Sequence, residues 1–296
     1  MKIGILGFRK SLKQVYEETR LVREAKAMGH KAMRLCSSNF QMVYDKKTPV
    51  MLYSGKKFAE YDVLIVKPSY LEDIELSLFL LKQIEELGYK VFNDYSSIIN
   101  AKNKVRSMQI LNHYGIPMPR TVVVQRSEDI EQASKLVGAF PLIIKVPMGS
   151  FGNGVSIVES MRALRSFLQK KRFLYIFQEY VKYANGKDIR VFVLGGKVLA
   201  TMQRNARKGE FRANIHQGGY GMPIKITDEE ENMALRSAQA MGLHFAGVDI
   251  LRGREGPVVL EVNSNPGFQG LEESTGVNIA GAMINYAIEF AERHKA

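Results

Sequence analysis

The 296-residue chain has one cysteine, five histidines and no tryptophan. With Cys36 alone, no intrachain disulfide can form, and a reducing compartment suits the chain. Cys36 closes the apolar-leading run Ala32–Cys36, so a small buried residue is a better reading than a nucleophile. No zinc-ligand spacing is present, and no basic run is interleaved with aromatics, which argues against sequence-specific nucleic-acid binding. No stretch approaches the roughly 18 consecutive apolar residues of a membrane span. Only six uncharged residues separate Lys2 from Arg9, too few for the apolar region of a signal peptide. These absences predict a soluble, cytoplasmic protein. Internal repeats and low-complexity segments are missing. No Ser-His-Asp or Cys-His arrangement can be argued, and a lone His216 reads as structural. Gly4 and Gly7 lack the rest of a dinucleotide fingerprint, and no Gly-Lys-Ser/Thr follows a glycine loop.

What is present is the composition of a globular protein, with 46% hydrophobic and 24% charged residues. The length suggests two or three domains. The net charge of +12 favours an anionic partner: a nucleotide, an acidic peptide or tail, or nucleic acid.

Residues 1–95 alternate strand and helix signals. Strands are expected at Lys2–Phe8, Ala32–Cys36, Asp62–Val66 and Lys90–Phe92, with helices at Gln14–Met28 and Glu72–Leu87. That order predicts an α/β unit with a mostly parallel, doubly wound sheet. A basic helix at Lys102–Tyr114, stopped by Gly115, Pro117 and Pro119, marks a boundary. Shorter strands and helices follow, then a hairpin through Gly195-Gly196. Residues 204–221 lack periodicity and are rich in Gly, Arg and Asn, which predicts a functional loop. Thr227 and Glu230 form a capping-box pattern, and Asn278–His294 reads as an amphipathic helix.

Two stretches carry candidate chemistry. In Phe245–Gly267, alternating runs flank a Gly-Arg-Glu-Gly turn, which predicts a β-hairpin. A turn centred near Glu255 sets Asp249 opposite Glu261, with Asn263 on the same face as Glu261. Opposed carboxylates repel unless a divalent cation or a base intervenes. Asp, Glu and an amide oxygen are ligands for Mg²⁺ or Mn²⁺. Spacing alone leaves a metal site and a set of ordinary ion pairs equally open. In Lys145–Val155, a strand ends in a lysine and runs into Gly149, Gly152 and Gly154. Such glycines can turn backbone N–H groups toward a phosphate, although an ordinary β-turn has the same look. Arg190, Arg204, Arg207 and Arg212 recur among Gly and Asn, and arginine recognises phosphate and carboxylate groups with two N–H donors.

Six segments in order resemble the ATP-grasp superfamily and, within it, the RimK-type α-L-glutamate ligases. They are NKVRSMQILNHYGIPMPRT (103–121), PLIIKVPMGSFGNGV (141–155), QEYVKYANGKDIRVFVLGGKV (178–198), GEFRANIHQGG (209–219), AGVDILR (246–252) and GPVVLEVNSNPG (256–267). The resemblance implies a three-domain ATP-grasp fold: an N-terminal α/β domain (1–100), a central subdomain with a glycine-rich flap (101–180) and a C-terminal subdomain (181–296). It implies ATP contacts from Lys104, Lys145, Gly149, Ser150, Gly152 and Gly154, and from Gln178, Glu179, Tyr180 and Val181 at the adenine. Asp188 would meet the ribose, and Arg212, Ala213 and Asn214 would lie near the phosphates. Asp249, Glu261 and Asn263 would hold two Mg²⁺ or Mn²⁺ ions, and Arg190, Arg204 and Arg212 would be catalytic. The implied reaction activates a carboxylate as an acyl phosphate and joins it to the amine of L-glutamate. The implied acceptor ends in glutamate: a ribosomal-protein C-terminus, a polyglutamate or coenzyme tail, or an amino-group carrier protein. Met148 and Phe151 depart from the flap pattern and leave the acceptor open, as is a homo-oligomeric state. The competing class is a nucleotide- or RNA-binding module without turnover.

Overall fold

The computed structural model describes residues 1–8, 15–45, 48–68, 74–147, 154–168, 174–207 and 219–294. The chain begins with β1 (Lys2–Gly7), α1 (Tyr16–Ala27), β2 (Lys31–Cys36), β3 (Phe40–Val43), β4 (Val50–Tyr53), β5 (Lys56–Lys57), β6 (Val63–Lys67), α2 (Ile74–Glu86) and β7 (Val91–Phe92). β2, β1, β6 and β7 pair in that order, all parallel. Both faces are covered, as a parallel sheet requires. Ile3, Ile5, Val63 and Ile65 face Leu21 and Ala25 of α1, whereas Leu6, Leu64 and Val66 join Leu78, Leu81 and Phe58. β3–β5 form a small antiparallel sheet that the sequence reading passed over. Its strands are only two to four residues long, too short for an alternating pattern to announce them.

The next elements are α3 (Tyr95–Lys102), α4 (Lys104–His113), β8 (Thr121–Val124), α5 (Ile130–Val137), β9 (Leu142–Lys145), β10 (Val155–Val158), α6 (Met161–Leu168) and β11 (Tyr175–Glu179). The helix expected from Lys102 starts two residues later. Asn103 breaks the helical path, with φ −89° and ψ 111°, and its side chain accepts hydrogen bonds from the N–H groups of Val105 and Arg106. An Asn side chain that caps a following helix competes with the backbone bond that would continue the preceding one. β10, β9, β11 and β8 form an antiparallel sheet whose core includes Ile144, Leu164 and Phe177.

The last part comprises β12 (Lys187–Leu194), β13 (Lys197–Asn205), β14 (Tyr220–Pro223), α7 (Asp228–Met241), β15 (Phe245–Arg252), β16 (Pro257–Asn263), α8 (Gln269–Thr275) and α9 (Ile279–Arg293). The hairpin at Gly195-Gly196 is present, with φ of +57° and +76° that suit a two-residue turn between twisted strands. The Thr227–Glu230 capping box is made in both directions. The sheet order is β14-β13-β12-β15-β16, antiparallel throughout. One face packs Val191, Val248 and Ile250 against Met233, Ala234 and Met241 of α7. On the other face Phe192 and Phe245 meet Phe92 of the N-terminal sheet and Met283 of α9.

One buried side chain ties these parts together. Asn93 donates to the carbonyls of Phe245 (2.8 Å) and Ser264 (3.2 Å), and accepts from the N–H groups of His244 (2.7 Å) and Phe245 (3.2 Å). All four hydrogen-bonding sites of its amide are thereby used. Among the described residues no helix is long and apolar enough to cross a membrane.

Candidate active site

The second face of the five-stranded sheet is apolar at one end and ionic at the other. Asp188 and Arg190 lie two residues apart on β12 and so share a face with Phe192. Arg204 pairs directly with Asp188, Asp249 with Arg190, and Glu261 with Asp249. Register alone therefore places five charges side by side across β13, β12, β15 and β16.

The contacts follow that register. Arg204 donates to both oxygens of Asp188, Nε at 2.6 Å and Nη2 at 2.8 Å, and its Nη2 also lies 2.9 Å from Asp249 Oδ2. Arg190 grips Asp249 with Nε on Oδ1 and with Nη2 on Oδ2 at 2.8 Å. Asn263 Nδ2 adds a contact to Asp249 Oδ2 at 3.3 Å. All four charged groups are at most 9% exposed. Ions this deep carry a large desolvation cost, and bidentate pairing offsets it. Burial alone would lower the Arg204 pKa, yet Asp249 and Asp188 hold it above the ordinary arginine value. Burial pushes Asp249 up, but Arg190 and Arg204 pull it further down. At Asp188 burial wins over the attraction of Arg204, and the carboxyl is raised.

The pairing of Asp249 with Glu261 arises differently from the expectation. The turn closes on Arg252 and Pro257, half a residue earlier than a turn centred at Glu255, and the register then shifts between Asp249 and Ile250. Leu260 is the extra residue of a β-bulge. An unbulged hairpin would set Leu260 opposite Asp249 and turn Glu261 toward the α7 core. The bulge keeps Val259 and Val262 in that core while Glu261 and Asn263 face the ionic row. Bulges commonly re-aim a side chain beside a site.

Next to Glu261 lies a pocket between α4, β9, β11 and β16. Met108, Leu111, Met118 and Val259 make its apolar wall, and Lys104, Lys145, Gln178 and Glu261 its polar groups. Lys104 Nζ stands 3.7 Å from Glu261 Oε1. The Lys145 ammonium is 8% exposed and makes no ion pair among the described residues. Burial drives its pKa down from 10.5 to about 8, with Glu261 pulling back and Lys104 adding repulsion. Lys102 is lowered as well, first by burial. An apolar slot that ends in two lysines and a carboxylate can take a flat apolar group with an anionic tail.

The structure thus brings together Lys104, Lys145, Gln178 and Glu261 around the pocket, and Asp188, Arg190, Arg204, Asp249 and Asn263 around the ionic row. Glu179 closes β11, where its carboxylate accepts the N–H of Arg120 at 3.1 Å. Tyr180 and Val181 follow it, both half-buried. Gly154 opens β10 and its carbonyl accepts from the N–H of Val146 at 3.0 Å, so the stem of the expected flap hairpin is present. Gly149, Ser150, Gly152, Arg212, Ala213 and Asn214 lie outside the described residues. Sequence reading missed Lys102, Lys67 and Gly247. Lys67, at the end of β6, is 2% exposed and donates to the carbonyl of Pro266 at 3.2 Å. A Cβ on Gly247 would lie 2.7 Å from Pro266 Cβ and 3.1 Å from Arg190 Nη1, so the missing side chain makes room for the guanidinium. The only visible hint was a lysine closing an otherwise apolar strand.

Among the described residues no three His, Cys, Asp or Glu gather as a metal cluster. The donor set is two carboxylates and an amide, the hard oxygen donors that Mg²⁺ shares with phosphate oxygens, and it fits such an ion. Asp249 already meets four N–H groups, three at Oδ2 and one at Oδ1. A cation bound there would share Asp249 with the two guanidinium groups, and the Asn263 amide would have to turn its oxygen inward.

Comparison with known proteins bears on the same residues. A RimK PreATP-grasp domain matches residues 1–98, and a RimK-like ATP-grasp domain matches residues 101–287. A protein named probable alpha-L-glutamate ligase from Methanococcoides burtonii is 40% identical over 291 residues, 97% of this chain and 95% of its own length. A protein of the same name from Coxiella burnetii is 40% identical over 301 residues, covering 100% and 98%. Among solved structures, the ATP-grasp ligase PsnB with a precursor variant, Mg and ADP superposes with a TM-score of 0.75 at 21% identity, over 98% of each chain. A RimK domain protein from Sphaerobacter thermophilus gives 0.75 at 19% identity, over 97% of this chain and 100% of its own. The superpositions show a shared fold. The matched domains and the 40% identity along nearly the whole chain show that it belongs to the RimK-like ATP-grasp family of ATP-dependent carboxylate–amine ligases.

Proposed function

We propose that this chain is a cytoplasmic enzyme that uses ATP and Mg²⁺, or Mn²⁺ in its place, to join L-glutamate to an acidic acceptor ending in glutamate. The observation that carries the reading is the facing of Asp249 and Glu261 on neighbouring strands beside a pocket that ends in Lys104 and Lys145. The names of the curated relatives support glutamate as the amine. The net charge of +12 supports an acidic acceptor.

In this reading the adenine occupies the slot along Met108, Leu111 and Met118, near Gln178 and the strand end at Glu179–Val181. Lys104 and Lys145 take phosphate oxygens, with the glycines at 149, 152 and 154, Ser150 and the 212–214 segment closing over them. Asp188 meets the ribose only when Arg204 releases it. Asp249, Glu261 and Asn263 hold two divalent ions, which supply charge neutralisation at the phosphates. Arg190 and Arg204 lose their hold on Asp249 as the site loads and turn to the transferring phosphoryl group or the acceptor carboxylate, with Arg212 beside them. The γ-phosphoryl group passes to the acceptor carboxylate, and the glutamate amine then displaces phosphate to form the amide. No protein nucleophile is required, so catalysis rests on positioning and on charge. The domain boundaries follow the sheets, with breaks near residues 100 and 180.

The test is mass spectrometry of a glutamate-ending peptide incubated with ATP, Mg²⁺ and L-glutamate. Successive glutamyl increments, with one ADP formed for each, are expected. ATP turnover without any increment, or none at all, would overturn the reading. Ligation should also weaken steeply as salt is raised, since charge guides an acidic tail to a basic surface.

A further inference from the structure

One wall of the pocket ends in a hydrogen-bonded relay to which the reaction just described gives no role. Gln178 lines the pocket from β11, and its Nε2 donates to Thr121 Oγ1 on β8 at 2.9 Å. Thr121 Oγ1 in turn donates to the carbonyl of Pro119 at 2.8 Å. Gln178 stands directly opposite Thr121 in the strand pairing. On its other side, β9 sets Ile143 beside Gln178 and Lys145 beside Ile176. Residues two apart on a strand share a face, so the Gln178 amide and Lys145 enter the same slot from points about 7 Å apart along the strand.

The relay fixes which end of the amide faces a ligand. A hydroxyl has one proton, and at 2.8 Å from the Pro119 carbonyl it must direct that proton there. Thr121 can then only accept from Gln178, so the amide turns its nitrogen to Thr121 and its oxygen away. The far end of the relay is itself held. Pro117 and Pro119 restrict the backbone, and the Pro117 carbonyl accepts the Val259 N–H of β16 at 2.8 Å. Gln178 is 3% exposed, yet its Oε1 is not shut off from solvent and meets no partner among the described residues. An acceptor open to the pocket is thus held in one orientation at its wall.

Base chemistry decides what such an acceptor takes. Met108, Leu111, Met118 and Val259 make walls suited to a flat ring. Adenine carries an amine, a donor, on the edge where guanine carries a carbonyl oxygen, an acceptor. A glutamine amide pairs with adenine by accepting from that amine while its second N–H donates to a ring nitrogen. Guanine in the same place would set two carbonyl oxygens against each other. An amide free to turn over would suit either base, so the discrimination lies in whatever prevents the turn.

We propose that Thr121 sets the nucleotide base preference: by holding Gln178 Nε2 it presents Oε1 to the exocyclic amine of adenine and so excludes guanine. This rests on the ligase reading above. Thr121 is a positioning residue, because it acts on the base only through Gln178. The strand pairing gives the device its rigidity, since both side chains occupy one register position of adjoining strands. Ile143, 7% exposed, flanks Gln178 on the other side, and Thr121 is the one polar side chain bonded to the amide among the described residues.

The experiment measures base preference apart from folding and turnover. Mg-ATP and Mg-GTP are titrated calorimetrically into wild type, Thr121→Val, Thr121→Ser and Gln178→Met, without glutamate or acceptor. Wild type should bind ATP about 10–100-fold more tightly than GTP, the discrimination of one bidentate amide–base contact. Thr121→Val keeps the shape and removes the hydroxyl, so the amide can turn to suit either base. Its ratio should fall to within about threefold, with ATP binding weakened and GTP binding strengthened. Thr121→Ser restores the hydroxyl and should keep the wild-type ratio. Parallel weakening of both nucleotides in Thr121→Val, an unchanged ratio, or a Ser variant that behaves like the Val variant would overturn the proposal. If Thr121→Val does not fold, as judged by circular dichroism, Gln178→Met decides. It should lose the preference through weaker ATP binding, and retention of the wild-type ratio would overturn the proposal. Wild type that binds both nucleotides alike would do so too, whereas wild type that binds neither would instead sink the ligase reading.

Discussion

Replacing Lys145 by methionine should stabilise the nucleotide-free protein and abolish its response to ATP. Lys145 closes β9 with its ammonium 8% exposed, and burial lowers its pKa from 10.5 to about 8. An unfolded chain restores the ordinary value, so between about pH 8 and 10.5 the unfolded state binds more protons and stability rises with pH. Below pH 8 both states are protonated, and the full cost of burying the charge is present. The gap between the two values corresponds to roughly 3 kcal/mol at neutral pH. Methionine keeps the length and flexibility of the stem without the charge. Lys145→Met is therefore expected to unfold at a higher temperature than wild type at pH 7, with the difference shrinking toward pH 10. Mg-ATP should raise the wild-type midpoint by mass action and leave the variant unmoved. A variant less stable at pH 7, or a difference that ignores pH, would refute the argument that this lysine is held in place against its own desolvation.

Other substitutions test the frame around the site. Gly247→Ala puts a methyl against Pro266 and Arg190, and should cost about 1–3 kcal/mol or push the guanidinium off Asp249. Either result appears in a thermal midpoint paired with a kcat measurement; unchanged values in both would count against the packing. Asn93→Ala strips partners from two N–H groups and two carbonyls, and should destabilise by about 3 kcal/mol or more. Hydrogen exchange at His244 and Phe245 would report it locally. Thr227→Ala removes one half of the capping box on α7 and should cost about 1 kcal/mol. Glu230, the other half, is held low by Arg252 and Thr227 against the upward push of burial. Its contribution is present above the ordinary glutamate range and is lost as pH falls through the lowered value, so acid unfolding of Glu230→Gln should be shallower than that of wild type.

Much of the layout was legible before any coordinates. Alternating apolar runs and glycine stops are local signals, and they placed β1, β2, β6 and β7 and the hairpin at Gly195-Gly196. Period two along β16 put Glu261 and Asn263 on one face, and the matching of six segments in order identified the family. The break at Asn103 and the small β3–β5 sheet escaped because a capping side chain and strands of two to four residues leave no periodic trace. The boundary of what pattern can reveal is clearest at Asp249. Chain order and residue type determine that two carboxylates, an amide and several arginines lie on strands that can meet. They do not determine that Leu260 is absorbed as a bulge, that Arg190 reaches Asp249 through the space left by Gly247, or that Lys67 and Asn93 clamp the turn after β16. Those outcomes depend on side chains far apart in sequence competing for the same few ångströms. Only the packed structure settles that competition, because burial sets the cost of every unpaired charge and so decides which partners meet.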